Sequence, residues 1–554
     1  MYTPFKRLAL VLKPNSREIS QVYVLAFFKG LVALSLPLGI QSIINLIQGG
    51  TVSTSWIVLT GLIVLAIAFN GYLQWIQMRI MENIQQKLFA RAAFDFTERI
   101  PRIRMEALQP YYPPELMNRF FEVLTIQKTL SKIIIDLSTA VLQVLFGLIL
   151  LSLYHVFFAV FSIILVLMVW VILRLTSKKA METSLNESKY KYQLVSWLEE
   201  MARSRDSFKL IGETSLPMKN TDERVMGYLN SREDHFGILR SQFRLLVFFK
   251  ILIALGLLLA GGFLVIQQRM NIGQFVAAEI ILLLVIDSIE KLILNLENVY
   301  DLFTSTEKIG NVMELELEEE RKTDALNQIN KDKAPFLELH QLSFRYPDSS
   351  QPLFHSINYK FESGKKYVIS GSAGSGKSTL MHVLSGAYIP SSGTVSLNGW
   401  PLSNYAKNIL YSYIGSNLKE ETIFEGTILD NICLGRPNIS EEYLSELTDK
   451  LLLRDYIQTC AEGLNTPLDP MGKKLPASII QKILLARMLI IKPQLILLEH
   501  PIDAIIESEQ KVIVDYLLSI PNTTLIAVTS SNYFKQKCDH LLSFHEGNLT
   551  QINA

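Results

Sequence analysis

Cysteine is scarce. Of 554 residues only Cys433, Cys460 and Cys538 are cysteine, and their spacing makes no zinc site, redox pair or disulfide framework. All three lie in the C-terminal part, a usage that suits a reducing compartment better than a secreted chain. Net charge is nearly absent as well: 53 Lys and Arg against 52 Asp and Glu leave +1, so no electrostatic footprint calls for a nucleic-acid partner, and none is expected. The opening MYTPFKRLALVLKPNSREIS has basic residues but no apolar run ending at a small-residue cleavage site. It therefore reads as an amphipathic helix on the cytoplasmic membrane face, with Phe5, Leu8 and Leu12 toward lipid, and not as a signal peptide.

What the chain has in quantity is apolar length. A chain of 554 residues is too long for one core. Its first three hundred or so residues carry runs such as TAVLQVLFGLILLSLYHVFFAVFSIILVLMVWVILRL, while the remainder is an ordinary soluble mixture. Six stretches reach the roughly 20 apolar residues that a membrane span needs: about 20–47, 55–77, 133–154, 157–176, 245–267 and 273–294. The links after the first, third and fifth are short and carry little charge. Those after the second and fourth are long and rich in Lys and Arg, so the positive-inside rule puts both termini and the two long links in the cytoplasm. The long links keep a helical period, as in RIMENIQQKLFARAAFDFTERI, and are expected to extend the spans into levers that turn near MEALQPYYPPELMNRF and FKLIGETSLP.

Ionisable residues inside spans demand a partner or water. The last span carries Glu279, Asp287 and Glu290 within an arc of about 80° at 100° per residue, and Lys29 and Lys250 sit in the first and fifth. Either they line a polar path, with a weak hint of a cationic or amphipathic cargo, or they pair internally or lie near water. The acidic stretch ELELEEERKTDALNQINKDK reads as a solvated helix and linker.

Chemistry appears in KKYVISGSAGSGKSTLMHVLSG, read as strand, glycine-rich loop and helix. Gly371, Gly376, Lys377 and Ser378 match G-x-x-x-x-G-K-[ST], and the segment Gly371, Ser372, Ala373, Gly374, Ser375, Gly376, Lys377, Ser378, Thr379 is the expected phosphate cradle. Glycines let the backbone wrap phosphates, amides at the helix start point at them, Lys377 reaches the terminal phosphates and Ser378 takes Mg²⁺.

With this motif behind six spans, the chain resembles the ABC transporter family, specifically exporters in which six spans precede one nucleotide-binding domain. LSFRYPD supplies Tyr346 where the family stacks adenine, and GTILDNICLG and QKILLARMLIIKPQLILL match its following elements. The resemblance implies an α-helical six-span membrane domain, 1–310, a linker, 311–334, and an α/β P-loop ATP-binding domain of the ABC type, 335–554. It also implies two such domains facing head to tail, each ATP held between one P-loop and the other's signature loop. A peptidase domain preceding the first span is disfavoured, because only about twenty residues precede it and none is cysteine.

Several family positions are altered. The signature Leu-Ser-Gly-Gly-Gln falls on Leu475, Pro476, Ala477, Ser478 and Ile479; proline removes a donor, and side chains stand where close approach to a γ-phosphate was needed. In QLILLEHPIDA, Pro501 fixes the register, so Glu499 replaces the Mg²⁺-water aspartate and His500 the catalytic glutamate. Glu499 keeps a carboxylate and can hold the metal's water shell, making Ser378 and Glu499 the implied metal residues. His500 either accepts a proton from the attacking water, a contribution of roughly 10²- to 10⁴-fold, or pairs with Glu499. The Q-loop glutamine falls on Ser416, beside an insertion, the switch histidine on Ser530 and the D-loop aspartate on Ile506. Binding groups persist and splitting groups are altered, at the site on this chain's own P-loop and at the one on a partner's.

Two functions are consistent with this pattern. One is an exporter subunit of the bacterial inner membrane, working as a homodimer or heterodimer among membrane lipid, that couples MgATP binding and slow or partner-dependent hydrolysis to outward transport of an unnamed substrate. The other is a pseudo-ATPase scaffold that holds ATP as a structural ligand.

Overall fold

In the computed structural model, residues 3–48, 54–318, 333–347, 349–419 and 421–552 are described. The GGTVS link, 49–53, and most of the acidic linker, 319–332, lie outside them. Two compact units emerge: Met1–Pro101 with Tyr111–Leu315, and Arg102–Pro110 with Glu316–Ala554.

The first unit is helical. Among the described residues, six helical segments are long and apolar enough to span a membrane: Pro4–Gln48, Thr54–Arg102, Pro113–Tyr154, Val156–Arg203, Leu216–Ile266 and Ile272–Met313. Helices are the open-ended solution in hydrocarbon because each satisfies its own backbone. Hydroxyls within the spans do the same locally: Ser152 Oγ donates to the Leu148 carbonyl at 2.7 Å and Ser162 Oγ to that of Phe158 at 2.8 Å. The helices Val156–Arg203 and Leu216–Ile266, of 48 and 51 residues, far outrun a bilayer. At 1.5 Å per residue they exceed about 70 Å, against about 30 Å of hydrocarbon.

One expectation changes here, and one open choice narrows. Phe5 is exposed, but Leu8 and Leu12 do not face lipid; they pack against a core that includes Val22, Met81, Ile84 and Val123. The cause is Arg7, which is buried and clamps Glu314 with two bonds, Nε to Oε1 at 2.6 Å and Nη2 to Oε2 at 2.9 Å. That fork turns the apolar stripe of helix Pro4–Leu12 inward. In the last span, Glu290 is neutralised by an ion pair with Lys250, so internal pairing accounts for both. Asp287 is exposed and Glu279 half-buried.

The second unit is α/β. Its main sheet runs, in spatial order, Asn548–Ile552, His540–His545, Lys366–Ser370, Thr524–Val528, Leu495–Glu499 and Ile414–Asn417. All neighbours pair in parallel except the outer hairpin. Strand Leu495–Glu499 is buried throughout, as a run of Leu and Ile covered on both faces should be. A four-stranded antiparallel sheet, Phe354–Phe361, Leu337–Phe344, Ser392–Leu397 and Trp400–Pro401, packs its apolar side into one of the two cores. The segment Arg102–Pro110 clusters with this unit, where the Glu106 carboxylate accepts the Ile389 amide at 2.6 Å and the Arg104 amide donates to the Glu316 carbonyl at 2.9 Å. The second expected turning point, 208–217, belongs to the first unit.

Close helix packing in the first unit rests on small residues. A Cβ added to Gly147 of the third span would stand 2.6 Å from Val285 Cγ2 of the sixth. Gly147→Leu is expected to lower stability by about 1–3 kcal/mol through overpacking, read as a drop in the melting temperature of the detergent-purified protein, and Val285→Ala should recover part of the loss.

Candidate nucleotide-binding site

Parallel strands deliver their C-terminal ends to one edge, where open α/β sheets bind ligands. Ser370, Glu499, Val528 and Asn417 close their strands there. Strand Lys366–Ser370 runs into the glycine loop and then helix Lys377–Leu384. Gly371 is required by close approach, since a Cβ would meet the Phe544 carbonyl oxygen at 2.3 Å, and Gly376 by its φ of +98°. The loop closes on its own lysine: Lys377 Nζ donates to the carbonyls of Gly371 at 3.0 Å and Ser372 at 2.6 Å, and lies 3.2 Å from Ser375 Oγ. Partial burial pulls the Lys377 ammonium below its ordinary value, and the charge of Glu499 pulls the other way.

Ser378 Oγ donates to Glu499 Oε1, so the two residues implied as metal holders are in contact. Glu499 is 4 % exposed, and its Oε2 accepts the Lys419 amide at 3.4 Å. One hydroxyl beside one carboxylate fits Mg²⁺, which keeps most of its shell as water and phosphate oxygen. Among the described residues no group of three His, Cys, Asp or Glu offers an all-protein cage. Tyr346 is held over the same helix, its hydroxyl 2.6 Å from Thr379 Oγ1 and its ring edge-on to Phe344 at 5.1 Å.

His500 follows the strand with its amide still bonded to the Val528 carbonyl, 2.8 Å, and its backbone in the left-handed region at φ +50°. The ring does not pair with Glu499. Nδ1 lies 2.8 Å from Asp503 Oδ2, a carboxylate one turn along that the sequence reading passed over although His-x-x-Asp stands in plain view. With Nδ1 engaged, Nε2 is the nitrogen left to meet a water. Gln481 was also missed: its Nε2 donates to the His500 carbonyl at 3.0 Å and its Oε1 accepts the Ala504 amide at 2.9 Å. The altered signature positions open helix Ala477–Leu489, with Pro476 before it and the Pro476 carbonyl accepting the amides of Ile479 and Ile480 at 3.0 and 3.1 Å. Ile506 is 63 % exposed, and Ser530 is exposed beyond strand Thr524–Val528.

The insertion after Ser416 brings a further carboxylate. Glu421 Oε1 accepts the Leu418 amide at 3.2 Å, one residue from the Lys419 amide on Glu499. Burial pushes its pKa up to about 7, opposed by that amide, Arg487 and Ser416.

Comparison with known proteins bears on this arrangement. The family model for the ABC transporter transmembrane region matches residues 21–289, and the ABC transporter model matches residues 354–503. The chain belongs to the ABC transporters, with the exporter architecture of a transmembrane domain fused to an ATP-binding domain. This ABC transporter is 28 % identical over 292 residues to the colicin V secretion/processing ATP-binding protein of Escherichia coli, covering 51 % of this chain and 40 % of that one. It is 26 % identical over 292 residues to the alpha-hemolysin translocation ATP-binding protein of Escherichia coli, covering 52 % and 41 %. The matches thus span less than half the length of either relative. A solved bacterial Atm1-family ABC exporter with ATP bound shares its fold, with a TM-score of 0.83 at 15 % identity, over 97 % of this chain and 94 % of that one.

Because the native state holds the Glu421 proton to higher pH than the unfolded chain does, the stability it contributes is full below about 4.5 and lost as pH rises through about 7. Glu421→Gln is therefore expected to raise the melting temperature of the full-length transporter at pH 8, by the equivalent of up to ~3 kcal/mol, and to change little near pH 4.5.

Proposed function

We propose that this chain is the ATP-binding half of an exporter in a bacterial inner membrane, with both termini cytoplasmic, working as a homodimer or heterodimer. It binds ATP with Mg²⁺, hydrolyses it slowly or with help from a partner, and couples the cycle to outward movement of a substrate by alternating access. The observation that carries the reading is the contact of Ser378 with Glu499 beneath a complete glycine loop, next to a strand end that presents His500 and not an acid. The first supports nucleotide binding, and the second supports slow turnover.

In this reading the amides of Gly374 to Ser378 and the Lys377 ammonium hold the phosphates, and Tyr346 takes the adenine face. Gly371, Ser372, Ala373 and Thr379 complete the cradle. Ser378, with Glu499 through water, would hold Mg²⁺, which would supply neutralisation of phosphate charge. His500, oriented by Asp503, accepts the proton of the attacking water through Nε2. Asp503 acts through His500 and is a positioning residue.

The purified protein is expected to show ATP turnover well below the ordinary enzyme rate of about 10 s⁻¹, and Lys377→Ala should abolish it. His500→Ala should cut what remains by about 10²-fold, whereas His500→Glu should raise it; Asp503→Asn should lower kcat while leaving KM for ATP in place. Turnover at the ordinary rate that ignores His500→Ala would overturn this reading. Tight ATP binding with no phosphate release in the protein alone or with any partner half would leave the scaffold reading in its place.

A further inference from the structure

A cavity of about 440 Å³ opens among the first, second, third and sixth spans, within the range of small-ligand sites. Its position coincides with two irregularities. The first span breaks at Leu34, between helices Ser16–Ala33 and Ser35–Gln48, and the third begins with a π-turn at Ile133–Leu137, a device that recurs at functional sites. Asp136 lies in that turn and Ser35 just past that break, and both line the cavity.

Two buried polar groups on its wall have no hydrogen-bond or ion-pair partner among the described residues. Lys29 is 9 % exposed and makes no ion pair or hydrogen bond among the described residues. Thr139 is 7 % exposed, and its Oγ1 has no hydrogen-bond partner. Lys291 adds a second ammonium to the wall, and Asp136 a single carboxylate. None of these three charged groups forms an ion pair among the described residues, so the cavity carries one positive charge in excess. Gln143 also lines it. Its Oε1 accepts Ser288 Oγ at 3.1 Å, which leaves its amide hydrogens as donors. Ser35, Asn70 and Gln74 add neutral polar side chains, and Val32, Leu36, Ile67 and Leu284 form the apolar part of the wall.

An unpaired ammonium inside a span is costly and marks a binding site by default. Asp136, on the same wall, acts on Lys29 only at a distance and makes no ion pair with it, and the acids of the last span are spent or turned elsewhere: Glu290 is held by Lys250, and Asp287 and Glu279 do not reach the wall. We propose that this cavity receives the anionic head, carboxylate or phosphate, of an amphipathic molecule, with Lys29 and Lys291 on the charge, Thr139 and Gln143 as neutral donors, and the apolar wall against its tail. This reverses the sign of cargo hinted at by the acids of the last span. It rests on the exporter reading of the membrane unit, while the binding itself needs no turnover.

The test is fluorescence titration of the full-length protein in neutral detergent, without nucleotide, using a dansyl-labelled medium-chain carboxylic acid and the same chain with a trimethylammonium head. The carboxylate probe is expected to bind the wild type, about ten-fold or more weaker to Lys29→Met and to Lys291→Met, and near wild-type strength to Lys29→Arg. Melting temperatures of the variants control for folding. Displacement by a single-chain alkyl phosphate assigns a cargo-like site, and displacement only by phosphatidylglycerol assigns a resident lipid; either supports an anionic head. Equal affinity for the trimethylammonium probe, or an unchanged affinity in a folded Lys29→Met protein, would overturn the proposal. Carboxylate binding without any ATP turnover, in the protein alone or with any partner half, would leave the cavity standing and remove the exporter reading alone.

Discussion

Strands Lys366–Ser370 and Leu495–Glu499 do not touch; each is bonded in parallel to Thr524–Val528, which sits between them. That shared register brings a hydroxyl at position 378 to a carboxylate at position 499. A contact between one hydroxyl and one acid so far apart in sequence exists only where two chain ends coincide. The same edge fixes His500, whose amide continues the ladder by one more bond to Val528. Fully buried neighbours at Leu495–Leu498 make the edge stiff.

In the membrane unit the governing constraint is different. Hydrocarbon offers polar groups nothing, so each must find a partner on a neighbouring helix or face a space that something else fills. Tyr154 donates to Gln41 at 2.6 Å, and the Gln77 amide donates to the Val22 carbonyl at 3.1 Å. Lys250 and Glu290 solve the problem by charge. Lys29 and Thr139, without a hydrogen-bond partner among the described residues, share one cavity wall.

Local signals were legible in sequence: six apolar runs of span length, and a glycine loop whose φ requirements admit few alternatives. Pro501 gave the alignment that set Glu499 at the strand end. Contacts between distant positions were not legible. Arg7 reads as one more basic residue on a surface helix until Glu314 arrives, 307 positions later, and turns Leu8 and Leu12 inward. His500 was weighed against Glu499 because they adjoin in sequence. His500 lies just past the strand in a left-handed backbone conformation, and its imidazole meets a carboxylate three residues on, where the chain has turned. Glu421 escaped because an insertion says how many residues are added and not which way they fold.

Gln481 spends both ends of one amide on the turn after His500, while its own helix begins at the altered signature positions. If that helix start meets a neighbour's nucleotide, a tug there travels a few bonds through a single side chain to the imidazole serving this chain's own. Two pockets geared together in this way would not act independently, because occupancy of one would set the posture of the other.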